Sequence, residues 1–309
     1  MIEISKNSSN PLPSWNDGPA KKSIIDFITK TTNEGGAEYI PAADRIACFD
    51  NDGTLWSEMP VVQLAFVIDR IKSAAPQHPE WKTEQPFKAI LESDVNAFKE
   101  GGVKSVEAIL AATHTGITTE EFDQTVKDWI RAAKHPKTGM LYADMIFKPM
   151  LELLNYLRAN GYKTFIVSGG GIDFMRVFSE ELYGIPSYQV VGSSGKVKYE
   201  VKDSKPLLIK TPELNFFDDK EGKPAGIHQH IGKRPVFTAG NSDGDYAMLE
   251  YTSAGAGPRF GMIIHHTDTE REFSYEAPQV GSSLDKGLKE AVKNNWLVVD
   301  MKNDWKEIF

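Results

Sequence analysis

Apolar and polar positions follow two rhythms along this chain, and the change of rhythm divides it. Short continuous apolar runs stand at 45–50, 164–167, 235–239, 260–264 and 296–299, each followed by small or polar residues. Such runs read as buried strands. Between them the spacing lengthens to that of a helix. Leu151, Leu154 and Leu157 share one face of a segment over 148–160 that Gly161 closes. Further helices are expected at 172–183, 223–231, from 245 to 251 and at 284–293. Near the start, 7–18 reads as an irregular lead-in. Asp17-Gly18-Pro19 then opens a helix carrying Ile24, Ile25 and Ile28, which Gly35-Gly36 stops. The stretch 188–202 alternates around Ser193-Ser194-Gly195 and reads as a β-hairpin. Strands alternating with helices predict a parallel α/β sheet in three layers. Ligands of such sheets bind at the carboxyl ends of the strands.

The alternation breaks once. From 58 to 144 the periodicity is helical throughout. Leu64, Ala65, Ile68 and Ile71 mark one helix over 61–72, and 105–112 is a second. Thr118-Thr119-Glu120-Glu121 is a capping box ahead of Phe122, Val126, Trp129 and Ile130. His135-Pro136 and Thr138-Gly139 end that helix. The expected organisation is a three-layer, Rossmann-like core from 1–57 and 145–309, with 58–144 inserted as a helical cap beside the first chemically loaded strand.

Three of the predicted strands end in residues that suit phosphoryl transfer. Asp50-Asn51-Asp52-Gly53-Thr54 follows the first, Ser168-Gly169-Gly170-Gly171 the second, and Gly240-Asn241-Ser242-Asp243-Gly244-Asp245 the third. A parallel sheet brings them to one edge. Asp50 can attack phosphorus and split hydrolysis into two steps. Asp52 can protonate the leaving oxygen and then deprotonate water. The Ser168 hydroxyl can bond a phosphate oxygen, while Gly169 and Gly170 let backbone N–H groups approach. Oxygens of the first and third loops suit Mg²⁺, which takes a few protein oxygens plus water and phosphate. A cation should meet Asp50 and the phosphate: Lys223 at the start of its helix, with Lys220 as the alternative. His265, His266, Asp268 and Arg271, after the strand at 260–264, are further candidates. In the insertion, His114 and Arg131 are candidates for substrate selection.

Composition narrows the partners. The net charge is −8 and no long basic run occurs, which argues against nucleic acid and against an anionic membrane surface. An anionic substrate then needs a local positive centre. The one cysteine, Cys48, lies inside an apolar run and reads as a buried, inert thiol. The first residues lack the apolar stretch of a signal peptide, so a cytoplasmic protein is expected, with a processed exported form as the alternative.

On these residues the chain resembles the haloacid dehalogenase superfamily, in its phosphatase branch. Asp50, Asp52 and Thr54 stand where the first motif would put them, Ser168 at the second, Lys223 at the third and Gly240 to Asp245 at the fourth. The resemblance implies a Mg²⁺-dependent phosphohydrolase working through a phosphoaspartate on Asp50, with Asp52 as acid and base and Lys223 beside it. Thr54, Ser168, Gly169 and Gly170 would contact substrate, and Asp50, Asp52, Asn241 and Asp245 would hold the metal. The cap after the first motif is similar to that of phosphoserine phosphatase-like members. Asp52 separates the chain from dehalogenase members, which lack that acid. One departure stands out: Asn241 replaces the Asp the family most often carries, and Asp243 is a candidate to compensate. The alternatives are a phosphomutase on the same residues, or a phospholigand-binding protein without catalysis. The expected partner is a small phosphorylated substrate. Which one, and the oligomeric state, are left open.

Overall fold

The computed structural model describes residues 10–100, 102–275 and 283–309. The chain enters through α1 (Pro19–Thr32) and then forms β1 (Ile46–Phe49), buried along its whole length. Five helices follow: α2 (Val62–Ala74), α3 (Phe87–Glu92), α4 (Val95–Glu100), α5 (Gly102–His114) and α6 (Thr119–Ile130). Helix α7 (Lys148–Ala159) leads into β2 (Lys163–Gly171), α8 (Ile172–Arg176) and α9 (Ser179–Tyr183). Then come β3 (Val190–Lys202), β4 (Lys205–Phe216), α10 (Gly222–His230), β5 (Phe237–Gly240) and α11 (Tyr246–Ser253). The chain ends with β6 (Phe260–His265), α12 (Lys286–Glu290), β7 (Leu297–Asp300) and α13 (Met301–Asp304).

The sheet has seven strands in the order β4-β3-β2-β1-β5-β6-β7. It is mixed rather than wholly parallel, because β4 runs antiparallel to β3 while the other neighbours are parallel. Strand β1 lies at its middle, between β2 and β5, and its alternate residues explain its unbroken apolar run. Ala47 and Phe49 join a cluster with Ile24 and Ile28 of α1 and Leu153 and Leu157 of α7. Ile46 and Cys48 join a second cluster with Ile227 of α10 and Met248 of α11. Burial on both faces leaves no polar position in the strand and produces the three layers. Cys48 is fully buried, and burial pushes its thiol well above the ordinary range, so it is a packing residue.

The helical insertion after β1 forms the cap, and no strand occurs among its described residues. The capping box at α6 is present: Thr118 Oγ1 accepts from Glu121 N at 3.0 Å, and Glu121 Oε2 accepts from Thr118 N at 2.8 Å. Such a cap contributes about 1 kcal/mol. No described helix is long and apolar enough to cross a membrane.

Three local expectations are corrected. The hairpin turn is not at Ser193-Ser194-Gly195 but at Asp203 and Ser204, whose φ angles of +52° and +61° make a two-residue loop between paired Lys202 and Lys205. Residues 193–195 are instead where β3 leaves its parallel neighbour. Ser193 still pairs with Gly171 of β2, whereas Ser194 pairs with Phe216 of β4. Second, Ser168 to Gly171 is not a loop after β2. It is the last part of that strand, with a register shift between Ser168 and Gly171. Third, the helix expected over 172–183 is two short helices, α8 and α9.

The β3–β4 ribbon reaches the cap. Lys210 N donates to Ile117 O at 3.0 Å, and Gly116 N donates to Lys210 O at 3.0 Å.

Candidate active site

The loop after β1 closes on itself. Leu55 N donates to Asn51 O at 2.8 Å and Gly53 N donates to Trp56 O at 2.9 Å. Gly53 has φ +72°, and a Cβ there would stand 2.1 Å from Asn241 Nδ2. Left-handed backbone and close approach both demand glycine. Trp56 is buried against Phe178 with ring centres 4.8 Å apart, and its Nε1 donates to Asp52 Oδ1 at 2.9 Å. One oxygen of Asp52 is thereby aimed by an immobile ring. Burial raises the Asp52 carboxyl, with the Trp56 N–H partly offsetting it. A carboxyl shifted upward holds the proton a general acid must give.

Lys223 stands in the first turn of α10 and is buried. Its ammonium donates to Asp50 Oδ1 at 2.7 Å, Asp245 Oδ1 at 2.7 Å and Val167 O at 2.9 Å. All three protons are used, which satisfies a buried ammonium completely. Burial alone would lower its pKa, but the Asp245 and Asp50 carboxylates outweigh that and raise it, so Lys223 stays charged. Asp50 is pushed up first by burial and then by Asp245, while Lys223 pulls it back toward the ionised form. Lys220, the alternative lysine, is exposed at φ +52° and donates nothing to this cluster.

Asp245 is wholly buried and its two oxygens are committed separately. Oδ1 takes Lys223, and Oδ2 accepts from Asn241 N at 2.9 Å and Ser242 N at 3.0 Å. It folds the third loop around the lysine. Asp243 faces away from the cluster: its carboxylate accepts from Gly287 N at 2.7 Å and from Asp285 N and Lys286 N at 3.1 Å, ahead of and within α12.

The side chain of Asn241 is fixed from both ends. Nδ2 donates to Glu58 Oε1 at 2.8 Å, and Oδ1 accepts from Thr54 Oγ1 at 3.1 Å. Thr54 therefore holds the amide. Glu58 Oε1 also accepts from Tyr275 OH at 2.8 Å. Burial lifts the Glu58 carboxyl from its ordinary 4.5 to about 7, against the pull of His266 and Tyr275. His266 is buried beneath this network, with Nε2 2.7 Å from Gly53 O and Nδ1 3.1 Å from Glu272 Oε2. Glu58 and Tyr275 carry no motif spacing, so pattern reading could not find them.

Ser168 is buried at the end of β2, and its Oγ accepts from Gly170 N at 3.2 Å. A Cβ on Gly170 would come 3.6 Å from Asp52 Oδ2, so the second and first segments meet there. Gly169 O accepts from Ser193 Oγ at 2.8 Å. Gln63 of α2, also unseen from sequence, accepts from Gly171 N at 2.6 Å. The remaining candidates separate. Arg271 pairs with Asp268 and donates to carbonyls of Met301, Lys302, Trp305 and Lys306, a clasp on the C-terminal segment. Arg131 is exposed at the end of α6. His114 is buried in the cap, and burial pushes it down to about 3.

Among the described residues no three acidic, His or Cys side chains cluster as a cation site. The oxygens that the first and third loops offer are those of Asp50, Asp52 and the Asn241 amide. Hard oxygen donors few in number fit Mg²⁺, which keeps several waters. They do not make a closed cage, and Asp245 is occupied elsewhere.

Residues 47–250 match the family described as haloacid dehalogenase-like hydrolase. Among solved structures, a conserved functionally unknown protein from Anaerococcus prevotii DSM 20548 is 16% identical over 95% of this chain and 94% of its own, with a TM-score of 0.59. A protein with unknown function from Bordetella pertussis Tohama I is 16% identical over 84% of this chain and 99% of its own, with a TM-score of 0.50. At that identity the likeness speaks for fold. No curated protein matches the sequence. The matched span covers β1 to α11 with the inserted cap, and the chain belongs to the haloacid dehalogenase-like hydrolases.

Proposed function

We propose that this protein is a Mg²⁺-dependent phosphomonoester hydrolase that uses Asp50 as nucleophile. The observation that supports the reading is a buried Lys223 bonded to Asp50 and to Asp245, whose other oxygen holds Asn241 N, while Ser168 Oγ and Asp52 Oδ2 meet at Gly170, 3.5 and 3.6 Å from where its Cβ would stand. Asp50 attacks phosphorus, and the ester P–O bond breaks to leave an aspartyl phosphate. Asp52 gives its proton to the departing alkoxide. Asp52 then takes a proton from water as that water attacks phosphorus, which releases phosphate and restores Asp50. Ser168 Oγ, already accepting from Gly170 N, directs its own proton to a phosphoryl oxygen. Lys223 holds Asp50 Oδ1 and balances its charge, and Asp245 positions Lys223. Asp50 and Asn241, with Asp52, would hold Mg²⁺; when bound it supplies the positive charge that lets a carboxylate approach an anionic ester. The cap inserted after β1 stands where the sequence resemblance to phosphoserine phosphatase-like members would put it, and it assigns no alcohol.

The test is release of inorganic phosphate from a panel of phosphomonoesters, with Mg²⁺ and after chelation. Turnover that falls at least about 10-fold on chelation supports the reading. No turnover of any ester, or isomerised ester in large excess over free phosphate, overturns it, the latter in favour of a mutase.

The geometry also explains the asparagine. An Asp at 241 would set a carboxylate 2.8 Å from Glu58 Oε1. Asn241→Asp is expected to cost about 1–3 kcal/mol of stability at pH 8 without metal, and adding Glu58→Gln to recover most of it. Denaturant unfolding of both variants checks this, and an Asn241→Asp protein as stable as the parent would refute it. The sign for Glu58 itself follows from its raised carboxyl. Between pH 4.5 and about 7 the unfolded chain has lost the proton that the folded chain keeps, so stability falls as pH rises through that window. Glu58→Gln flattens that part of the profile.

A further inference from the structure

A cavity of about 250 Å³ adjoins Gly169 and Gly171 on the side facing the cap. Leu110 of α5 and Phe122 of α6 wall it from the cap, Ile172 and Phe174 of α8 from the core, and Leu214 from β4. A dry apolar cavity of about 150 Å³ already accepts a benzene ring, so one ring with a short arm fits this space.

Its charges cancel. Lys210 is buried, pairs with the Asp173 carboxylate, and lies 4.6 Å above the Phe122 ring. His114, on the same wall, is held neutral by burial and tilted against Phe122 at 4.6 Å. A carboxylate or ammonium carried into this space would lose its water and find the one ion pair already satisfied. That costs several kcal/mol. An apolar group incurs no such cost and gains contact with the rings, while the neutral Gln63, Ser193, Ser194 and Thr211 complete the polar lining.

Resting on the phosphomonoesterase reading above, we infer that this cavity receives the alcohol part of the ester and selects an uncharged, apolar alcohol about one ring in size. The phosphoryl group would then meet the Ser168–Gly170 end of β2 while the alcohol points toward the cap.

The experiment compares benzyl phosphate with O-phosphoserine and glycerol phosphate, using the full chain with Mg²⁺. All three depart as alkoxides of alkyl alcohols, so the comparison reports binding of the body more than leaving-group acidity. The expected result is a kcat/KM for benzyl phosphate at least about 10-fold above both others, the range that pocket contacts of this size give. Leu214→Gln, on the strand wall, is expected to shrink that ratio mainly through KM for benzyl phosphate. Hydrolysis of all three without preference, or preference for either polar ester, overturns the inference and leaves the phosphatase reading intact. A Leu214→Gln protein that keeps the full ratio also overturns it. No hydrolysis of any ester overturns the phosphatase reading and this inference with it.

Discussion

Replacement of Asp50 by Asn is expected to reduce phosphate release by about 10³-fold or more while leaving a folded protein. The side chain keeps its size, and the main-chain bond from residue 50 N to Ala239 O at 3.0 Å does not depend on it. What goes is the nucleophile. An amide oxygen in its place attacks phosphorus far less readily than a carboxylate. An amide can still accept from Lys223, so the buried ammonium keeps an acceptor there and Asp245 as its counter-charge. Stability should therefore change little, or rise slightly, because two carboxylates no longer compete for one cation. The measurement is steady-state phosphate release beside denaturant unfolding. Wild-type turnover in the variant would remove Asp50 from the chemistry.

Lys223→Met acts on both fold and turnover. The methionine fills much of the same space but removes the charge between two buried carboxylates, Asp50 and Asp245. Breaking a buried pair from one side costs about 3–5 kcal/mol, because the partner charge stays behind. Here two are left, and one must take up a proton to remain buried. Val167 O also loses its partner. A fall in unfolding free energy of that size is expected, together with loss of turnover by at least about 10²-fold. Lys223→Met combined with Asp245→Asn should regain stability without regaining turnover. The combination separates the fold effect from the chemistry. Unchanged stability in Lys223→Met would mean that the ammonium does not hold these two groups together in solution.

The parts legible in the sequence are those carried by apolar runs. Buried strands at 46–49 and 237–240 read as strands because both faces are covered, so no charged residue interrupts them and Thr238 is the one polar side chain in the two. Their parallel pairing then carries Asp50 and Asn241 to the same edge, which joins segments distant in the sequence. Lys223 was separable from Lys220 only by geometry, since three residues along a helix start decide which ammonium points inward. The hairpin turn went astray for a chemical reason. Asp203-Ser204 lacks the glycine that announces a two-residue turn, whereas Ser194-Gly195 imitates one. Asp243 looked like a metal ligand by its place in the loop, yet its carboxylate is spent on the amides before α12, which lie more than forty residues further on. Glu58 and Tyr275 were invisible because their contacts to Asn241 and to one another span 183 and 217 positions. No local spacing encodes such partners.

The bonds between Lys210 and residues 116 and 117 bear on how substrate comes and goes. Strand β3 is rooted beside β2 in the core, so its partner strand ties the helical insertion to the sheet at a point other than the two crossings of the chain after β1 and before α7. An insertion fastened only at its crossings could swing wide. This one has a latch. Two backbone bonds must be exchanged for water before the gap widens, at a net cost of about 1–3 kcal/mol for the pair, or the ribbon must bend along with the helices. Either way opening is opposed, and on the phosphatase reading proposed above that opposition would weigh most on release of a large alcohol.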